Sequence, residues 1–150
     1  MSLEITINSD IKSAMIAKDR RKLEALRAVK SALLLIKTGK DTSFAEVPEE
    51  LELKTLQKLI KQRKESAEIF KSQGRSEMAE EELYQAGIIE AYLPEQISED
   101  EVKAIVEKII ADTGASSMKD MGKVMGMASK QLAGKADNKI VSQIVRTLLG

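Results

Sequence analysis

The sequence predicts an all-α protein: an N-terminal bundle or hairpin array of about four helices in residues 1–95, then a small three-helix domain in residues 96–150. Three observations predict it. Ala, Leu, Ile, Lys and Glu dominate while proline occurs only twice, which is the composition of helices rather than of sheets. Apolar residues recur at three- and four-residue steps through most of the chain, and the one strand-like alternation, Leu3 to Ile7, is short. Finally, one helical pattern ends and another begins within Ala91 to Glu101. Pro94 lacks an amide hydrogen and disfavours helical geometry at Leu93; Ser98 then opens a capping box, Ser-x-x-Glu, with Glu101.

Each element has its own signals. Ile7, Ile11, Ala14 and Met15 fall at helical intervals and predict a first helix over about residues 2–17. Asp19 is placed to cap the second, in which Leu26, Val29, Leu33 and Ile36 form the apolar stripe and Thr38-Gly39 supplies the stop. After an irregular polar segment, Lys40 to Val47, Pro48 suits the first turn of a third helix running to about Ser72. Its stripe is Leu56, Leu59, Ile60, Ala67 and Phe70, with Arg63 inside it, either snorkelling to the edge or paired with a carboxylate from a neighbouring helix. Gln73-Gly74 ends this helix, and a fourth from Ser76 carries Met78, Ala79, Leu83, Ala86, Ile89 and Leu93, with Glu77, Glu80, Glu81 and Glu82 near its positive end.

Beyond the joint, the fifth helix runs from about Ser98 to Asp112 with Val102, Ile105, Val106 and Ile109 inward, and stops at Thr113-Gly114. Ser117 can cap a sixth helix with Asp120 at its third position and Met121, Val124, Met125, Ala128 and Leu132 on its apolar face. Gly134 and Asp137-Asn138 mark the last turn, and the seventh helix carries Ile140, Val141, Ile144, Val145, Leu148 and Leu149.

Composition excludes several chemistries. With no cysteine there are no disulfides, no thiolate catalysis and no cysteine metal sites. With no histidine there is no Ser-His-Asp triad, histidine base or histidine ligand. Neither a P-loop nor a Gly-x-Gly-x-x-Gly fingerprint is present. Ser116-Ser117-Met118-Lys119 contains Ser-x-x-Lys, but its partner motifs are missing and a serine-rich helix start explains the same residues. No catalytic residue, no metal and no cofactor are expected. No apolar run approaches the length of a membrane span, so no membrane association is expected, and the cytoplasm is the default location.

Formal charge is zero overall but uneven along the chain. Residues 54–75 net +5, residues 76–112 net −9 and residues 113–150 net +4. The last segment holds Lys119, Lys123, Lys130, Lys135, Lys139 and Arg146, the candidate nucleic-acid-binding residues; Lys61, Arg63, Lys64 and Arg75 are a possible second basic face. The preferred structural explanation is that oppositely charged segments attract each other and that much of the charge is solvated helix surface. Gly122 and Gly126 lie one turn apart among these cations, at a cost of about 1 kcal/mol each relative to alanine. Close helix approach within the small domain is the preferred explanation, with a backbone laid against an RNA phosphate chain as the functional one. Only Phe44, Phe70, Tyr84 and Tyr92 are available to stack on bases, so RNA contact would be to backbone and shape.

Taken together, Ile60-Lys61-Gln62-Arg63-Lys64-Glu65-Ser66, Phe70, Gly74-Arg75, Tyr92-Leu93-Pro94-Glu95-Gln96, Met121-Gly122-Lys123-Val124-Met125 and the turn from Gly134 to Asp137 resemble the GatB/YqeY family, specifically its stand-alone YqeY-like members. The resemblance covers almost the whole chain. It implies a helical N-terminal unit joined to a domain similar to the tail of the B subunit of glutamine-dependent tRNA amidotransferases, which is implicated in holding tRNA. It also brings the label of carbon-nitrogen ligase with glutamine as amido donor, although the family's ammonia-producing and ATP-using sites lie in parts that this chain lacks. The implied partner is tRNA or a tRNA-handling protein complex. The alternative is a protein-interaction module or homo-oligomer without RNA binding or catalysis, motivated by the zero net charge and the few aromatic side chains.

Overall fold

In the computed structural model, which describes residues 2–38 and 47–150, the protein is all-α, with no strand among the described residues. The irregular segment predicted between the second and third helices, including Phe44 and the Gly39 stop, lies largely outside the described residues. The helices are α1 (Leu3–Ala17), α2 (Arg20–Thr38), α3 (Glu49–Ser72), α4 (Ser76–Glu90), α5 (Glu99–Thr113), α6 (Met121–Gln131) and α7 (Asn138–Leu149). They fall into two compact units, Met1–Leu93 and Pro94–Gly150.

Local chemistry sets most of the ends. The Asp19 carboxylate accepts the amide hydrogen of Lys22 at 3.2 Å, Ser98 Oγ that of Glu101 at 3.2 Å, and Asp137 that of Lys139 at 3.0 Å, so α2, α5 and α7 start on side-chain caps. Gly114 closes α5 in the left-handed region at φ 69°, and Gly74 does the same beyond α3 at φ 72°. Two starts depart from expectation. Pro48 occupies the N-cap of α3 with extended geometry rather than its first turn, because the extended ψ of 143° there only precedes the helix. Ser117 opens a 3-10 turn, Met118–Asp120, instead of α6 itself: its hydroxyl accepts from the Lys119 amide while Asp120 reaches back to the Ser116 amide at 3.0 Å. Those bonds engage the Ser117 hydroxyl and the Ser116 backbone amide in capping.

In the first unit α3 and α4 pack closely across a short turn, α1 packs on α2, and α2 touches α3 and α4 as well. Ile7, Leu26, Val29, Leu56 and Ile89 are fully buried in this core. Met15, Met78 and Leu83, expected on apolar stripes, are instead exposed. Met15 and Met78 each neighbour a buried alanine, and one residue turns a helix by about 100°, so the neighbour of a core position points elsewhere. The Tyr92 hydroxyl donates to Asp10 of α1, fixing the end of α4 to the first helix.

In the second unit α5, α6 and α7 each pack on the other two around Val102, Val106, Val124, Leu132, Val141 and Val145. The segment leading into α5 is tied to the turn between α6 and α7. Ile97 N–H donates to the Lys135 carbonyl at 3.1 Å, and the Gln96 side-chain amide donates to the Gly134 carbonyl at 2.5 Å.

Candidate functional site

The sequence of α6, Met121 to Gln131, contains no acidic residue. Its inner side is set by Val124 and Ala128, both fully buried, with Met121 and Met125 packed beside them. Helical periodicity then places Gly122, Lys123, Gly126, Met127 and Lys130 on the outer side, at steps of three and four, and Lys119 precedes them from the 3-10 turn. All six are exposed. Among the described residues none of the three lysines takes part in an ion pair. The result is an outer side on which Lys123 and Lys130 flank Gly126 and Met127 with free ammonium groups, and Lys119 supplies a third from the preceding turn.

The glycines correct one expectation. Neither Gly122 nor Gly126 is a point of close helix approach: a Cβ built at either position meets nothing within 4 Å, and both face solvent. Both have ordinary helical backbone rather than positive φ. Packing and backbone conformation therefore leave their helix-propensity cost without an explanation inside the unit.

Lys135, Lys139 and Arg146 are also exposed and lie outside any ion pair among the described residues. Lys139 and Arg146 share an outward face of α7, opposite the buried Val141, Val145 and Leu149. Lys135 belongs to the turn, where its carbonyl accepts the Ile97 amide.

The second basic segment is arranged differently. Arg63 does not pair with a carboxylate: its Nε donates to the Gln85 side-chain oxygen at 3.2 Å, and another guanidinium nitrogen donates to the Leu59 carbonyl at 3.1 Å. Gln85 in turn donates to Glu24 at 3.5 Å, so a polar chain links α3, α4 and α2. Lys64 is held by Glu90 at 2.6 Å. Of the four residues in this face, Lys61 and Arg75 are exposed, and their side chains form no ion pair among the described residues.

Two of the aromatic rings have partners. Arg21 lies 3.9 Å above the Tyr84 ring while its Nε donates to Glu81 at 2.9 Å, and that hydrogen bond is the first cause of a raised guanidinium pKa. Tyr92 is half-buried and bound to Asp10. Burial first, and then the Asp10 carboxylate, push its hydroxyl well above the usual tyrosine range. Phe70 is partly buried, and Phe44 is outside the described residues. No group of acidic side chains among the described residues has the arrangement of a metal site. A shallow depression of about 270 Å³ at Pro48, Glu50, Leu51 and Lys54 offers no free charge pair, since Lys54 is 3.4 Å from Glu50. No helix among the described residues is long and apolar enough to cross a membrane.

Three relatives share the name "Altered inheritance of mitochondria protein 41, mitochondrial". The protein of Meyerozyma guilliermondii is 34% identical over 131 residues, covering 83% of this chain and 66% of that protein. That of Pyrenophora tritici-repentis is 26% identical over 148 residues, covering 96% and 79%, and that of Clavispora lusitaniae is 31% identical over 129 residues, covering 85% and 72%. The chain thus spans about two thirds to four fifths of the length of these relatives. Their names overturn the default assignment to the cytoplasm, since each places its protein in mitochondria. The family model described as Yqey-like protein matches residues 4–149, nearly the whole chain, and the chain belongs to that family.

Proposed function

We propose that the protein is a tRNA-binding accessory module that grips the RNA backbone with the outward stripe of α6. One observation carries this reading: Lys119, Lys123 and Lys130 are exposed, unpaired and separated by the open backbone of Gly122 and Gly126. Ammonium groups free of intramolecular partners release counterions from a polyanion without first breaking a salt bridge. Bare helix between them lets a sugar-phosphate chain approach more closely than a side-chain-covered helix does. Lys135, Lys139 and Arg146 extend the basic surface of the same unit. In this reading residues 96–150 are the counterpart of the amidotransferase tail, residues 1–95 are the YqeY-like helical domain, and the chain serves tRNA-dependent amidation without performing ligase chemistry. The mitochondrial setting comes from the relatives' names.

The test is equilibrium binding of tRNA across a salt series, with an unrelated duplex RNA as control. Wild type binds tRNA more tightly than the control, and its affinity falls steeply with salt. Replacing Lys119, Lys123 and Lys130 with alanine flattens the salt slope by about 1 per lost phosphate contact. Absence of tRNA binding near physiological salt, or a triple variant with unchanged affinity and slope, overturns the proposal.

A further inference from the structure

The hairpin of α1 and α2 has one outward face that combines large apolar side chains with unpaired cations. Glu4 in the first turn of α1 meets Lys37 in the last turn of α2 at 2.5 Å, so the helices run antiparallel and these two residues mark the sides that face each other. Ile5, Lys12 and Ile16 lie about a quarter turn from Glu4, opposite the buried Ile7 and Ala14. Arg20, Arg27 and Leu34 lie about a quarter turn from Lys37, opposite the buried Val29, with Lys30 in between. Because both buried sides turn to one core, both sets of residues emerge on the same side of the hairpin.

The apolar members are open to solvent: Ile16 is 75% exposed, Ile5 56% and Leu34 55%. Lys12, Arg20, Arg27 and Lys30 are exposed too, and none takes part in an ion pair among the described residues. No carboxylate of the hairpin is left to neutralise them. All four carboxylates of residues 2–38 are engaged elsewhere: Glu4 with Lys37, Asp10 with the Tyr92 hydroxyl, Asp19 with the Lys22 amide, and Glu24 with the Gln85 side-chain amide.

We infer that this face is a docking surface for an anionic lipid bilayer, on which the hairpin lies flat. Apolar side chains at both ends enter the boundary between headgroups and acyl chains, and the cations between them meet lipid phosphates. The layout selects this partner. Ile5 with Leu34 at one end and Ile16 at the other stand about 16 Å apart along α1, with Lys12, Arg27 and Lys30 in between. A partner helix lying in the groove would need a continuous apolar strip where these cations stand. RNA phosphates would satisfy the cations but leave three large apolar side chains in water. A second copy would set like charges together. The contact is with the membrane surface alone, since no helix among the described residues is long and apolar enough to cross it.

Co-sedimentation of the full chain with lipid vesicles tests this, comparing phosphatidylcholine alone with phosphatidylcholine mixed with phosphatidylglycerol. Binding is expected to the anionic vesicles only, and it should weaken as salt rises. Changing Lys12, Arg27 and Lys30 to glutamine should lower the partition coefficient about five-fold for each charge removed. Ile16→Ser with Leu34→Ser should lower it on the order of ten-fold or more, through the lost apolar burial. These positions are all exposed, so helix content and thermal midpoint should stay at wild-type values. The alanine variant of Lys119, Lys123 and Lys130 should keep its vesicle binding, which separates this surface from that of α6. The inference is overturned by absence of binding to anionic vesicles, by equal binding to uncharged ones, or by loss of binding in the α6 variant. It is equally overturned if the hairpin substitutions leave vesicle binding unchanged while tRNA affinity falls, which would assign the face to RNA.

Discussion

Replacing Gly122 and Gly126 with alanine should make the protein more stable and a poorer RNA binder. Glycine in a helix interior costs about 0.8–1.0 kcal/mol relative to alanine, and both positions are helical, solvent-facing and free of any atom within 4 Å of the added methyl. No clash offsets the gain, so the double variant should gain about 2 kcal/mol. In a unit of this size each kcal/mol moves the midpoint by about 4–8 °C, so the shift is on the order of 10 °C or slightly more. Gly114→Ala is the internal control, because a left-handed φ of 69° makes a methyl unfavourable there by about 1–2 kcal/mol although the space is open. Thermal unfolding by circular dichroism reads the stability, and the tRNA salt series reads the binding. A midpoint that falls in the double variant would show that the outer face of α6 is not open. A midpoint that rises with tRNA affinity unchanged would refute close approach of the RNA backbone, leaving the lysines to act through charge alone.

Other perturbations probe the cores and the ends of the units. Burial and the Asp10 hydrogen bond raise the Tyr92 hydroxyl pKa, so the folded state holds that proton more tightly than the unfolded chain. The stability that follows is complete below the unfolded tyrosine value of about 10 and is lost as pH rises through the folded value. Urea unfolding at neutral and strongly alkaline pH should show that Tyr92→Phe removes this alkaline loss while costing about 1.5 kcal/mol or more near neutrality. Leu132→Ala, at a residue 2% exposed in the second core, should cost about 3 kcal/mol by urea unfolding, and a cost below 1 would mean the site is less enclosed than described. Gln96→Ala should cost about 1 kcal/mol by the same measurement, through loss of the bond to the Gly134 carbonyl.

Much of the local structure was legible because it is written in neighbouring residues. Asp19, Ser98 and Asp137 cap helices through bonds to amides two or three positions on, so the signal and its partner lie within one turn. Gly114 ends α5 for the same kind of reason. What sequence could not supply was any partner fixed by packing. Arg63 was recognisable as a cation within an apolar stripe, but its acceptor, Gln85, is 22 residues away on another helix and is not acidic. Gly122 and Gly126 do not serve close helix approach, and periodicity already held the reason: the apolar face of Val124 and Ala128 is the buried one, which leaves the two glycines on the open side of α6.

Counting charges made residues 54–75 and 113–150 look equivalent, at net +5 and +4. Pairing separates them. In the first segment Arg63 is hydrogen-bonded to a side chain and a carbonyl, while Lys54, Lys64 and Lys71 have carboxylates at 3.4, 2.6 and 3.7 Å. Each of these must surrender an existing contact before meeting a phosphate, and an exposed ion pair is worth up to about 1 kcal/mol. In the second segment the carboxylates of Asp120 and Asp137 accept from the backbone amides of Ser116 and Lys139, so neither neutralises a side-chain cation. Within residues 113–150 both acidic side chains serve helix starts; the other carboxylates of the second unit, Glu95, Glu99, Asp100, Glu101, Glu107 and Asp112, lie on or just before α5. A polyanion approaching the outer side of α6 therefore meets cations that are already exposed and unpaired, and that difference in pairing, not the charge totals, favours α6 as the contact surface.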